Sequence, residues 1–270
     1  MSFLFCIFAR FFSFYMRIAL IGYGKMGRMI ESVALERGHE IVGIIDPTLV
    51  IGDCSLLIDF NSEAFRSADV AIEFTTPATA KENILRAWAQ GVPVVCGTTG
   101  WKPEELKVES LKLKEVESKK LIVDSKTEKT MLVWSSNFSV GVNIFFGLNK
   151  YLAEAISHQQ SAIRYTPSIT ETHHIHKLDK PSGTAKTLAE AIEAYPRPSS
   201  IRLSTGHSPS EGKGDFKVPI ESIREGEVPG THEVKWDSEE DTIVITHIAK
   251  GRRGFALGAV LAAEQIGDSI

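Results

Sequence analysis

Four titratable side chains fall within five positions: His173, His174, His176 and Lys177. Histidine exchanges a proton near neutral pH, and lysine adds a compact positive charge. A Pro-Ser-Gly-Thr turn follows at Pro181–Thr184, and then AKTLAEAIEAY, which has helical spacing and good helix formers. Ser182 or Thr184 can cap that helix. The N–H groups of Gly183 and Thr184 then point at an anion. The chemistry on offer is a pocket for a small carboxylate. His173 or its neighbour exchanges a proton there, and Lys177 neutralises a carboxylate or donates a proton. Two plainer readings stay open. A solvated basic loop has the same composition. A metal site would use the histidines, but Lys177 competes, no cysteine is near and HExxH is absent, so no metal is expected.

A second constellation lies near the start. IGYGKMGR places Gly22, Gly24 and Gly27 in GxGxxG spacing after the apolar run Arg17–Ile21 and before a helical stretch, Lys25–Arg37. Gly22 permits the tight turn, Gly24 lets the backbone approach a pyrophosphate, and Gly27 lets helix and strand pack closely. Asp46 closes the next apolar run at the distance expected of a ribose-binding acid. It would accept from the adenosine ribose hydroxyls and repel a 2′-phosphate. Pro47 and Thr48 follow without an arginine, which favours NADH over NADPH. The loops Phe74–Ala78 and Cys96–Gly100 offer hydroxyls and backbone for the nicotinamide end.

These groups need a scaffold. Glu40–Ile45, Val70–Phe74, Val92–Cys96 and Leu121–Val123 read as buried strands, with helices near Ala78–Gln90 and over Pro103–Lys119. Strands apolar on both faces and alternating with helices predict a doubly wound, Rossmann-like parallel sheet. After Phe138 the style changes. A helix over Val142–Ser157 precedes alternating runs at Ile163–Thr172, Ser200–Thr205, Phe216–Ile223, His232–Trp236 and Thr242–Ala249. They predict an α+β domain with an open mixed sheet. Phe255–Ile266 is a terminal apolar helix. The expected division is an extension over 1–16, a dinucleotide-binding domain over 17–138 with 251–270 packing back on it, and a substrate and oligomerisation domain over 139–250.

With 43% apolar and 24% charged residues, the chain is ordinary for a soluble globular protein. A net charge of -4 gives no push toward nucleic acid or anionic membranes, and neither is expected as a partner. Cys6, Cys54 and Cys96 form no framework, which suits a reducing cytoplasm. Cys96, in an apolar run, reads as a buried thiol. The aromatic-rich start, MSFLFCIFARFFSFY, lacks a basic lead and a clear cleavage site, so it reads as an extension rather than a targeting segment.

HHIHKLDKPSGTA resembles the HHxHKxDAPSGTA signature of the dihydrodipicolinate reductase family. GYGKMGR, FTTPA, VCGTTG, SSNFSVGVN, REGEVPGTHE and ITHIAKGRRGFALGAV extend the resemblance in order along the chain from Arg17. It implies an oxidoreductase of lysine and diaminopimelate biosynthesis. Such an enzyme reduces the dehydrated form of 4-hydroxy-tetrahydrodipicolinate to tetrahydrodipicolinate with NADH or NADPH. Carried over by position, His173 is the acid/base histidine and Lys177 the proton donor. His174, Gly183 and Thr184 bind substrate carboxylates. Gly22, Tyr23, Gly24, Lys25, Met26, Gly27, Asp46, Gly97, Thr98, Thr99, Ser135, Ser136, Asn137 and Phe138 hold the cofactor. A homotetramer is implied, assembled through the sheet of the second domain. Lys180 and Thr76 depart from the pattern, where alanine and arginine are common. A different oxidoreductase on the same plan would lack the PSGT cradle. A non-enzymatic sensor would not need the histidine-lysine pair.

Overall fold

The computed structural model describes residues 15–49, 56–106, 111–116, 119–124, 131–158, 163–195 and 216–267. The chain divides into two compact units, Met1–Ser139 with Arg252–Ile270, and Val140–Gly251.

The first unit runs β1 (Arg17–Ile21), α1 (Lys25–Glu36), β2 (Glu40–Ile45), α2 (Glu63–Arg66), β3 (Val70–Glu73), α3 (Pro77–Ala89), β4 (Val94–Cys96), β5 (Leu111–Val116), β6 (Lys119–Asp124) and β7 (Met131–Ser135). The strands form one seven-stranded sheet in the order β2-β1-β3-β4-β7-β6-β5. The first five of these are mutually parallel, a Rossmann-like arrangement. Alternate residues feed opposite faces. Ile18, Leu20, Ile72 and Val95 pack on one side with Ile30 and Val33 of α1. Ala19, Ile21, Ala71, Val94 and Leu132 pack on the other with Ile84 and Ala87 of α3. Each large aliphatic side chain taken out of water there contributes about 1.5–3 kcal/mol. The terminal helix α6 (Arg253–Gly267) joins the first face through Ala256, Ala259, Val260 and Ala263. Its small side chains allow a close approach. At Gly258 a side chain would overlap the Phe138 carbonyl.

One expectation needs correction. Pro103–Lys119 is not a helix. A 3-10 turn over Pro103–Glu105 ends it, and Leu111–Val116 is a strand paired antiparallel with β6. Leu, Lys and Glu are good helix formers, but LKLKEV also alternates at period two, and the neighbouring strand decides. The expected parallel sheet is present over five strands, and β6 and β5 extend its edge antiparallel. Strand β7, MLVWS, is absent from the expected strands, although it is as long as β1. Residues 1–14 of the expected extension 1–16 and the run at Ser200–Thr205 lie outside the described residues.

The second unit contains α4 (Val140–Ser157), β8 (Thr166–His173), α5 (Gly183–Glu193), β9 (Ile220–Arg224), β10 (Thr231–Asp237) and β11 (Thr242–Ile248). Its sheet has the order β11-β10-β8-β9. It is mixed, because β8 pairs antiparallel with β10 and parallel with β9. One face, with Ile169, Val234 and Trp236, packs on Phe145 and Phe146 of α4 and Leu188 of α5. Asn149 Nδ2 donates to the Leu188 carbonyl at 3.0 Å and ties the two helices together.

Candidate active site

In the second unit the core face of the sheet turns polar at one end. Strand β8 buries every second residue, and its last two inward positions are Glu171 and His173. Register brings His232 of β10 opposite Glu171, and Arg224 of β9 opposite His173. Glu171 Oε2 lies 3.0 Å from His173 Nδ1 and 3.8 Å from His232 Nε2. Its Oε1 lies 3.1 Å from Arg224 Nη2. Burial raises the Glu171 carboxyl, but contacts from His173 and Ser182 overcome this and hold it well below the usual carboxylate range. Burial, then the neighbouring His173, pushes the His232 imidazole down to about 3, so that ring is neutral at physiological pH.

The chain then turns back through a loop and a cis Lys180–Pro181 bond to start α5. Ser182 is the N-cap, its Oγ accepting from the Ala185 N–H at 3.2 Å. The Ser182 N–H donates to Glu171 Oε1 at 3.0 Å, and its hydroxyl sits 3.2 Å from His232 Nε2. Gly183 and Thr184 form the first turn of α5, whose partial positive charge suits an anion. Lys177 reaches back to Asp179, with 2.7 Å between Nζ and Oδ1. His174 is half-buried at the start of the loop, and His176 is exposed beside Glu227 at 3.3 Å. His173, Lys177, His174, Gly183 and Thr184 therefore share one strand end, one loop and one helix start. Glu171, Arg224 and His232 complete this cluster and escaped sequence reasoning. Among the described residues, Glu171, His173 and His232 have ligand atoms within 4.8 Å of one another. The Arg224 guanidinium already supplies the positive charge on that carboxylate, which suits an ion pair better than a metal.

In the first unit, the ends of β1, β2, β3, β4 and β7 gather the other group. Gly22 has a φ of 92°, and its N–H donates to the Ile45 carbonyl at 2.8 Å. A Cβ there would overlap the Phe74 carbonyl, and one on Gly27 would overlap the Gly22 carbonyl. At Gly24 a Cβ would meet nothing within 4 Å. The turn is thus closed on its protein side and open where α1 begins, with Lys25 exposed and Met26 partly buried beside it. That is the shape a pyrophosphate needs. Asp46 Oδ2 accepts from the Tyr23 N–H at 2.6 Å, while Oδ1 accepts from the Thr48 N–H and hydroxyl at 2.9 and 2.6 Å. Burial raises this carboxyl, but the Thr48 and Tyr23 donors prevail and keep it below its ordinary value. Asp46 pins the glycine turn as well as presenting a charge.

Phe74 organises the remaining loops. Its ring fills the space a Gly97 side chain would need, and it packs 6.2 Å from the Phe138 ring, centroid to centroid. Beneath it, fully buried Glu73 accepts from the Thr98 hydroxyl at 2.6 Å, from the Cys96 thiol at 3.0 Å and from the Thr75 hydroxyl. Burial, and then the Glu73 charge, raises the Cys96 thiol well above its ordinary value, so it is an inert donor. Thr99 stays exposed. At the end of β7 the Ser135 hydroxyl donates to the Asn137 carbonyl at 2.8 Å, and Asn137 Oδ1 accepts from the Ser139 N–H at 2.9 Å. Ser136 lies between them, partly buried. The hydroxyls and amides of these loops fit a nicotinamide cofactor at the C-terminal edge of a parallel sheet.

Two family descriptions match in series, the N-terminus of dihydrodipicolinate reductase over residues 16–138 and its C-terminus over residues 141–269. The chain belongs to the dihydrodipicolinate reductase family. A relative from Christiangramia forsetii, named 4-hydroxy-tetrahydrodipicolinate reductase, is 42% identical over 253 residues, spanning 94% of this chain and 93% of its own. A namesake from Archaeoglobus fulgidus is 35% identical over 266 residues, 93% of this chain and 94% of its own. A solved structure of a dipicolinate-bound dihydrodipicolinate reductase from Paenisporosarcina sp. TG-14 superimposes with a TM-score of 0.68 at 22% identity. It covers 94% of this chain and 96% of the other, and so shares the fold.

Proposed function

We propose that this chain is a 4-hydroxy-tetrahydrodipicolinate reductase, acting on the dehydrated cyclic dicarboxylate and forming tetrahydrodipicolinate. The observation that carries the reading is the meeting of His173, His174 and Lys177 with the start of α5 at one polar sheet end. A doubly charged ring needs cationic and N–H partners, and this cluster provides both. A nicotinamide cofactor, when bound, supplies a hydride to the electron-poor carbon of the conjugated imine. His174 and the first turn of α5, at Gly183 and Thr184, hold the carboxylates. His173 and Lys177 supply the proton that quenches the electron density left on the ring. The first unit holds the cofactor through Gly22–Gly27, Asp46, Gly97–Thr99 and Ser135–Phe138.

NADH is the favoured cofactor. The Asp46 carboxylate, kept charged by Tyr23 and Thr48, repels a 2′-phosphate, and parallel NADH and NADPH titrations test this. The enzyme works in the cytoplasm as a homotetramer. No described helix is long and apolar enough to cross a membrane. Val244 and Ile248 lie exposed on the sheet of the second unit, where a partner sheet would cover them. Native mass spectrometry reads the assembly. The activity itself is read by NADH absorbance with the freshly made aldol product of pyruvate and aspartate semialdehyde. Intact NADH binding without oxidation would refute the reductase reading.

A further inference from the structure

We propose that Glu171 is a positioning residue whose one carboxylate fixes the tautomer of His173 and the start of α5 together. The proposal rests on the reductase reading, because it concerns the ring that exchanges a proton there. Glu171 is fully buried, and a lone carboxylate in such a place is strongly disfavoured. Its two oxygens divide the work. Oε1 takes the Ser182 N–H at 3.0 Å and Arg224 Nη2 at 3.1 Å, which anchors the helix cap and balances the charge. Oε2 lies 3.0 Å from His173 Nδ1, and neither atom has another hydrogen-bond partner among the described residues, so a small turn of the ring completes the pair. A ring nitrogen beside a carboxylate carries the proton, and the other nitrogen then does the chemistry.

That other nitrogen has room reserved for it. Gly230 lies beside His173 Nε2, where a Cβ would come within 3.1 Å, and its φ of 149° suits glycine. The titratable neighbours come from every adjoining element. They are Glu171 itself, Arg224 on β9, His232 on β10 with His247 beyond it on β11, and Lys177 with Asp179 in the loop. His232 is held neutral by burial, so it does not share the Glu171 charge. The anion therefore serves His173 and Arg224. It orients the ring and stabilises the imidazolium whose Nε2 proton is passed to the substrate.

Nitrogen-15 NMR of the unaltered protein provides the first test, with His173 assigned by the signal lost in His173→Asn. The neutral His173 ring should carry its proton on Nδ1. A proton on Nε2 would overturn the proposal whatever the activity. Kinetics of Glu171→Gln form the second test. The amide keeps the shape and an acceptor for Ser182 but loses the charge. We expect kcat to fall about 10- to 100-fold, with NADH affinity within about two-fold. The alkaline limb of the kcat profile should move to lower pH, because the imidazolium that supplies the proton loses its anion. Glu171→Gln strands the Arg224 guanidinium, so the Glu171→Gln/Arg224→Gln double variant is measured beside it and should show the same pH shift. If the wild type is active and neither variant moves that limb, this inference fails while the reductase reading stands. If the wild type does not oxidise NADH, that reading fails, and the NMR result still decides the tautomer.

Discussion

Lys177 and Asp179 form an ion pair two residues apart, 2.7 Å between Nζ and Oδ1, in the loop that joins β8 to α5. Burial raises the Asp179 carboxyl, and the lysine more than reverses this. A substrate that recruits Lys177 as its proton donor has to compete with Asp179. Asp179→Asn removes the competitor. A partly exposed pair is worth about 0.5–1 kcal/mol, so the KM for the dicarboxylate should fall roughly two- to five-fold. A rise in KM would show that Asp179 aids substrate binding and would sink this account.

Replacing Lys177 with alanine should cut turnover about 100- to 1000-fold, the usual reach of a lost proton donor. NADH affinity, read by fluorescence titration, should stay within about two-fold, because the lysine belongs to the second unit. A large loss of cofactor binding would contradict the role assigned to it.

Gly22 and Gly24 should respond oppositely to the same substitution. Gly22→Ala places a side chain on a residue with φ of 92° and into the Phe74 carbonyl. It should cost at least about 2 kcal/mol of stability. Gly24→Ala meets no protein atom, so the thermal midpoint should barely change. NADH should nevertheless bind more weakly, because the new methyl occupies the approach of the pyrophosphate. Unaltered NADH affinity in Gly24→Ala would show that the anion binds elsewhere.

Stability should depend on pH through His232. Its folded value of about 3 lies below the ordinary 6.5, so the unfolded chain binds the extra proton first. Stability is then full above about pH 6.5 and falls as pH drops toward 3. Between pH 7 and pH 5 the loss should be about 1–2 kcal/mol. Burial lowers His247 too, in the same direction. Glu171 adds its own loss only below about pH 4.5, where the unfolded carboxylate protonates. Urea titrations of His232→Gln should show a flatter slope over pH 5–7. An unchanged slope would place the proton uptake on another group.

The helix α6 is tied to α1 by Glu264, which pairs with Arg37 at 2.7 Å and with buried His39 at 2.8 Å. Glu264→Ala should destabilise the first unit by about 1–3 kcal/mol, measured by denaturant unfolding, because the His39 ring loses its partner. A neutral result would mean that the alanine face and the Arg253–Glu36 pair hold the helix without Glu264.

Local signals carried much of this structure. Gly22, Gly24 and Gly27 sat in a strand–turn–helix context that only a few arrangements satisfy, and Asp46 stood at the expected distance. The Ser182 cap and the helix after it were equally plain. Glu171 was in the same stretch as His173, two residues apart in a strand, which places both side chains on one face. That spacing could have found it. Arg224 and His232 could not be found that way. They join the cluster only through the pairings His173–Arg224 and Glu171–His232, and register between distant strands leaves no local mark. The pinning of Tyr23 by Asp46 was hidden for the same reason.

The polar cluster occupies the same side of its sheet as Ile169, Val234 and Trp236. Sliding β8 by a single position would turn Glu171 and His173 to the opposite side together with Ile169. Misaligned molecules would thus forfeit their oily interior and their chemistry in one step. Folding quality control and catalytic competence are the same selection in this unit.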